Sequence, residues 1–208
     1  MKKLIVIAFL SFAFFKAGAQ ITVTPGVRAG LNLSTFTNFP DSQTRTDFYA
    51  GGFVGIKFVK FYTLQPEITY SRQGTKYNYD SSLYLPEPGY EYHETQEDLQ
   101  IQYLSFALIN KFTFKGFAVM VGPSIDFKVG DNFEELSDEL EGFDLTLQGG
   151  LGYEFGFGMG IEARYKIGLV DIFGNNFNGW DDDDDYYNDD IDDVRLNSVV
   201  QIGLTYSF

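Results

Sequence analysis

The 208-residue chain contains no cysteine. No disulfide can hold it, and no lipid-modified thiol can follow its N-terminal segment. Beyond Phe15 it has no apolar run long enough for a spanning helix, and even Leu4 to Phe15 falls short of the ~20 residues such a helix needs. Base is scarce, 15 Lys and Arg against 29 Asp and Glu. That balance argues against a nucleic-acid partner, which requires a basic face. There is a single histidine, His93, and neither a Gly-x-Ser-x-Gly elbow nor a His-Glu-x-x-His pair accompanies it. Hydrolases and acyltransferases mostly use a His paired with Ser or Asp. His93 lies near Glu91, Glu94 and Asp98 with Ser81 and Ser82 upstream, a setting that reads as an acidic surface loop. A hydrolase with its site in this loop, at the outer rim if the chain is a barrel, is the disfavoured alternative, and no enzyme is expected.

What is present begins with a processing signal. Lys2 and Lys3 precede the apolar run, and Ala17-Gly18-Ala19 is a small-x-small cleavage site. Residues 1–19 are therefore expected to be a signal peptide, leaving residues 20–208 as one exported domain that starts at Gln20. Removing Lys2, Lys3 and Lys16 leaves 12 basic and 29 acidic residues, a net charge of −17. Mean hydropathy is slightly polar, as for a soluble protein. It is equally what a transmembrane barrel predicts, because half of each strand faces a polar interior. Aromatics at 18% and 22 glycines suit interfacial aromatic girdles and close-packed small interior positions.

Period-two alternation is the dominant pattern, and it places successive side chains on opposite faces of a strand. It occurs in eight segments: 24–34, 47–58, 63–73, 98–110, 117–127, 143–155, 159–169 and 194–208. In the sixth, Phe143, Leu145, Leu147, Leu151, Tyr153 and Phe155 oppose Asp144, Thr146, Gln148, Gly150, Gly152 and Glu154. In the eighth, Val194, Leu196, Val200, Ile202, Leu204, Tyr206 and Phe208 are expected outward, with Val199 the apolar intruder on the polar face. The fourth sets Leu99, Ile101 and Tyr103 outward and then shifts to Leu104, Phe106 and Leu108, which predicts a β-bulge between Tyr103 and Leu104.

Connections alternate in length: short near 59–62, 111–116 and 156–158, long near 35–46, 74–97, 128–142 and 170–193. These features predict an all-β fold, an eight-stranded antiparallel up-and-down transmembrane β-barrel. Its short turns and both termini would face the periplasm and its long loops the exterior. The rival is a soluble lipocalin-like barrel with apolar residues inside and charge outside. Phase alone does not say which face is inward; the terminal aromatics and the loop asymmetry favour the membrane barrel.

Four stretches extend the reading: Gly26-Val-Arg-Ala-Gly-Leu-Asn-Leu-Ser34, Leu64-Gln-Pro-Glu-Ile-Thr-Tyr-Ser-Arg-Gln-Gly74, Tyr103-Leu-Ser-Phe-Ala-Leu-Ile-Asn-Lys111 and Gly203-Leu-Thr-Tyr-Ser-Phe208. They resemble the PorT-like outer-membrane β-barrel family of Bacteroidota, which is porin-like and similar to the eight-stranded OmpA-like barrels. Ser105 and Ala107 stand where that family usually has Glu and Pro. The resemblance covers essentially the whole exported chain and implies fold and compartment. It also implies that Tyr206 and Phe208 form the signal read by the barrel-assembly machinery. The founding member's link to protein secretion is not carried by these motifs.

On the polar faces lie Arg28, Glu67, Glu154, Glu162, Arg164, Lys166 and Arg195. Charges in a narrow lumen are costly unless paired, so a network among these seven is expected. Either it is a salt-bridged plug that replaces a hydrophobic core, or it lines a gate or thin ion path, as in a narrow porin or an accessory part of a secretion system. Eight strands leave little room and favour the plug. Negative charge concentrates in three loops: −4 over 74–97, −5 over 128–142 and −10 over 170–193, with about +2 left for the rest of the exported chain. Asp181, Asp183, Asp185, Asp190 and Asp192 supply the hard oxygen ligands that Ca²⁺ prefers. The spacing of an EF-type loop is missing, however, and a solvated acidic surface is the other reading. No other cofactor is expected. The partners expected are outer-membrane lipid and lipopolysaccharide, the barrel-assembly machinery, and an external partner that is cationic or bridged by a divalent metal. The chain is expected to be a monomer.

Overall fold

The computed structural model describes residues 21–39, 41–80, 94–132, 140–172 and 194–208. The expected signal peptide, His93 and the aspartates at 181, 183, 185, 190 and 192 lie outside them. Eight strands run β1(Thr22–Phe36), β2(Gln43–Val59), β3(Tyr62–Asp80), β4(Glu94–Phe114), β5(Phe117–Asp131), β6(Phe143–Glu154), β7(Met159–Gly168) and β8(Asn197–Ser207). Each pairs antiparallel with its sequence neighbours, and β1 pairs with β8 to close the barrel. Closure gives every strand two neighbours and leaves no edge. The expected fold class is the observed one.

Side-chain exposure settles which face is which. Val27, Leu31, Ile68, Leu147, Leu151, Ile202 and Leu204 are exposed, while Arg28, Glu67, Glu162, Arg164 and Lys166 are buried. The protein is oily outside and charged inside, the reverse of a lipocalin, and that rival falls. An apolar belt around the whole circumference is far larger than a water-soluble monomer exposes and calls for a hydrocarbon solvent. At the short-turn end the belt is edged by aromatics. Phe61 and Phe114 stack with centroids 5.9 Å apart, Phe117 meets Tyr153 edge-on at 4.9 Å, and Tyr206 meets Phe208 edge-on at 5.3 Å. Such rings sit where hydrocarbon meets head groups.

The short turns follow from local chemistry. Between β4 and β5, Lys115 (φ 51°) and Gly116 (φ 89°) both adopt left-handed conformations. This is the two-residue geometry whose twist matches that of antiparallel strands.

Two details differ from the sequence reading. The expected 35–46 loop is only the stretch 37–42, and β3 and β4 stay paired out to Asp80↔Glu94. The sequence reading ended strands where the oily face ended, but ladder hydrogen bonds need no apolar side chains and continue beyond the belt. The second correction concerns the fourth strand. Leu99, Ile101 and Tyr103 are buried inside, not outward, and Leu104, Phe106 and Leu108 continue the same unbroken alternation. The irregularity lies across the ladder. Gln102 pairs with Gly130 and Tyr103 with Lys128, so the extra residue is Val129, on β5. Three apolar residues face inward here because the outer end of the lumen is capped by an apolar cluster.

Candidate functional site

At mid-barrel, β1, β3 and β7 each send charge inward at positions fixed by the two-residue period. Arg28 reaches Glu67 at 2.7 Å and Glu162 at 2.6 Å, and Arg164 reaches the same two carboxylates at 2.9 and 2.8 Å. The result is a closed ring of two guanidiniums and two carboxylates, every member 4% exposed or less. Gln65 donates to Glu67 at 2.7 Å, Gln201 accepts from Arg28 at 3.2 Å, and Gln148 accepts from Arg164 at 3.3 Å. Arg28 also lies 4.7 Å over the ring of Tyr49. The planar forks of arginine suit this reciprocal pairing, and the neutral sum limits the desolvation cost that a lone charge would carry.

The other expected network members divide. Lys166 bonds Asp126, with Ser105 at 3.5 Å, toward the outer end. Glu154 pairs with Lys111 at 2.5 Å near the short turns. Arg195 precedes β8 at the outer rim, where its amide donates to Asp171 at 3.3 Å. So four of the seven residues form one ring, and Glu154, Lys166 and Arg195 sit elsewhere. Asp126, Lys111, Tyr49 and the three glutamines were missed as partners. Tyr49, Gln65, Asp126, Gln148 and Gln201 all stand on the polar side of the alternation in the sequence. Lys111 joins them once β4 is read without a phase slip.

Above the ring, the lumen is lined by hydroxyls and amides. Asn32 donates to Ser71 at 2.9 Å, and Gln201 donates to Asn32 at 2.9 Å. At the outer mouth Phe36, Leu99, Ile101, Tyr103, Leu140 and Ile172 form an apolar cap, with Phe39 and Tyr77 against it. A void touching the ring, between Arg28, Thr69 and Lys166, measures about 10 Å³, on the order of a single water. Below the ring, a vestibule of about 200 Å³ opens at the short-turn end. Tyr206 and Phe208 point outward there, and the Phe208 amide donates to the Pro25 carbonyl at 3.0 Å.

A family model described as "Outer membrane protein beta-barrel domain" matches residues 18–174. Curated proteins show no significant match. Among solved structures, Neisserial surface protein A aligns at 12% identity and a TM-score of 0.48, over 90% of this chain and 99% of that one. Ail, the attachment invasion locus protein of Yersinia pestis, aligns at 10% identity and a TM-score of 0.44, over 89% and 98%. The same protein in complex with the heparin analogue sucrose octasulfate gives 10% and 0.43, over 89% and 99%.

Proposed function

Starting from the fact that the chain belongs to the outer-membrane β-barrel domain family, which sets its place in the outer membrane, we propose that it is a closed, non-conducting, non-enzymatic barrel whose external loops do its work as a binding surface. The observation that carries this reading is the Arg28–Glu67–Arg164–Glu162 ring under the apolar cap. A narrow porin, or a secretion accessory that passes solute, would need a path wider than one water through that ring. Planar-bilayer recordings of the refolded protein test it. No steps of nanosiemens size are expected, and steps of that size would overturn the filled-lumen reading.

In this reading the long loops are extracellular and both termini periplasmic. The protein is a monomer of the PorT-like type, assembled through Tyr206 and Phe208 and bounded by lipid and lipopolysaccharide. The loops' negative charge then selects a partner that is cationic or bridged by a divalent ion, because such a cluster attracts cations over a Debye length of ~8 Å at physiological salt. The aspartates 181, 183, 185, 190 and 192 are the proposed Ca²⁺ ligands. Calorimetry with Ca²⁺ is compared between the wild-type protein and one with 181–193 replaced by a Gly/Ser linker. Sub-millimolar binding that disappears with the replacement is the expected result; identical heats mean a solvated loop.

A further inference from the structure

We propose that the vestibule at the short-turn end is a binding site for a small carboxylate of amino-acid to dipeptide size. The cavity measures about 200 Å³, far more than a single water needs. It is floored by Gln65, itself only 2% exposed and tied to the charge ring through Glu67, and Phe53 forms an apolar wall. Two ammonium groups and one carboxylate line it: Lys57, Lys111 and Glu154. Lys111 is committed to Glu154 at 2.5 Å. Lys57 has no hydrogen-bond or ion-pair partner among the described residues, and the hydroxyls of Thr63 and Thr205 are likewise unengaged there. One ammonium and two hydroxyls are thus free to donate into a partly enclosed space, where a charge interaction is stronger than in open water.

The sign of the site follows from the same residues. Lys57, Lys60, Lys111 and Lys115 lie at this end against Glu154, so the mouth is positive while the loops at the other end are strongly negative. Anions are concentrated at the mouth and repelled at the far end. A planar, two-oxygen anion matches Lys57 with a hydroxyl beside it. Glu154 remains an acceptor for the ammonium or amide of the same ligand, so a zwitterion is preferred over a bare anion. The arginines, which would favour phosphate, are engaged with carboxylates in the ring above.

This site is independent of the loop reading and tested apart from it. The refolded full-length protein is titrated by calorimetry with dialanine, with dialanine amide and with glutamate. Dialanine should bind saturably, and its amide about tenfold or more weaker, equivalent to ~1.4 kcal/mol. Lys57→Met should weaken dialanine about as much, while Lys60→Met, on the adjoining turn, should leave it unchanged. Glutamate binding as well as dialanine identifies free amino acids as the source; weaker binding identifies peptide carboxyl ends. The proposal is overturned if neither acid saturates below about 10 mM, if the amide matches the acid, or if Lys60→Met costs as much as Lys57→Met.

Discussion

Deleting one charge from the ring leaves an opposite charge buried without its partner, and that asymmetry sets the cost. Arg164→Met strips two contacts from Glu67 and one from Glu162. It should lower stability by about 3–5 kcal/mol, measured by urea unfolding in lipid vesicles. Adding Glu67→Met removes the charge left behind, so the double variant should be more stable than Arg164→Met alone. If the double variant is instead the less stable of the two, the ring acts as something other than a charge-balanced filler. Of these four residues the sequence shows type, sign and face. It does not show which acid meets which base, because that depends on barrel stagger. Glu154 and Lys166 share the inward face with the ring yet lie at other depths, beside Lys111 and Asp126. Arg195 belongs to the rim because the ladder of β8 begins two residues later, at Asn197.

A single strand, β6, holds both kinds of position side by side. Leu147 is 48% exposed on the oily face, and its neighbour Thr146 is 3% exposed and bonds Ser124 inside. Leu147→Arg should cost ~2–4 kcal/mol near the membrane midplane, read as loss of the heat-modifiable, folded band on gels. Thr146→Arg should do no better, since the lumen beside it is filled by Ser124, Asp126 and Lys166; a normal folded yield for this variant would mean that the interior has room. Strand identity was legible because alternation survives in all eight segments. The facing of Leu99, Ile101 and Tyr103 was not, because a rule that assigns oil to lipid misplaces residues that belong to an internal cap. Nor was the bulge at Val129, since an extra residue shows only when two strands are laid against each other. The β1–β8 seam makes a similar demand. A Cβ on Gly30 would come within 2.2 Å of the Ile202 carbonyl, so the inward glycine facing Gly203 is there for close backbone approach.

Across the whole molecule, the interior changes character with depth: an apolar cap, a band of hydroxyls and amides, a charge ring, and an open basic vestibule. In the proposed reading this order sets a filled, charge-neutral section between the vestibule and the acidic loops. On that reading, binding at one face should be independent of binding at the other. Ca²⁺ added to the wild-type protein should leave dialanine binding at the vestibule unchanged, which paired calorimetric titrations would check. A shift of about tenfold would show that the ring transmits state from face to face.

The seam has a further consequence, for how the barrel comes to exist. Seven of its eight ladders join neighbours in sequence, whereas the last brings together residues such as Asn32 and Gln201, 169 apart. Contacts between such distant residues are slow to form, since the intervening chain must be ordered before they are rewarded. Until they form, β1 and β8 present rows of unpaired amides and carbonyls, each costing several kcal/mol in hydrocarbon. A seven-ladder sheet is thus costly in the bilayer for as long as its two edges stay uncovered. Gly30→Val, which sets a Cβ against the Ile202 carbonyl, should accordingly lower the yield of the folded, heat-modifiable band on gels.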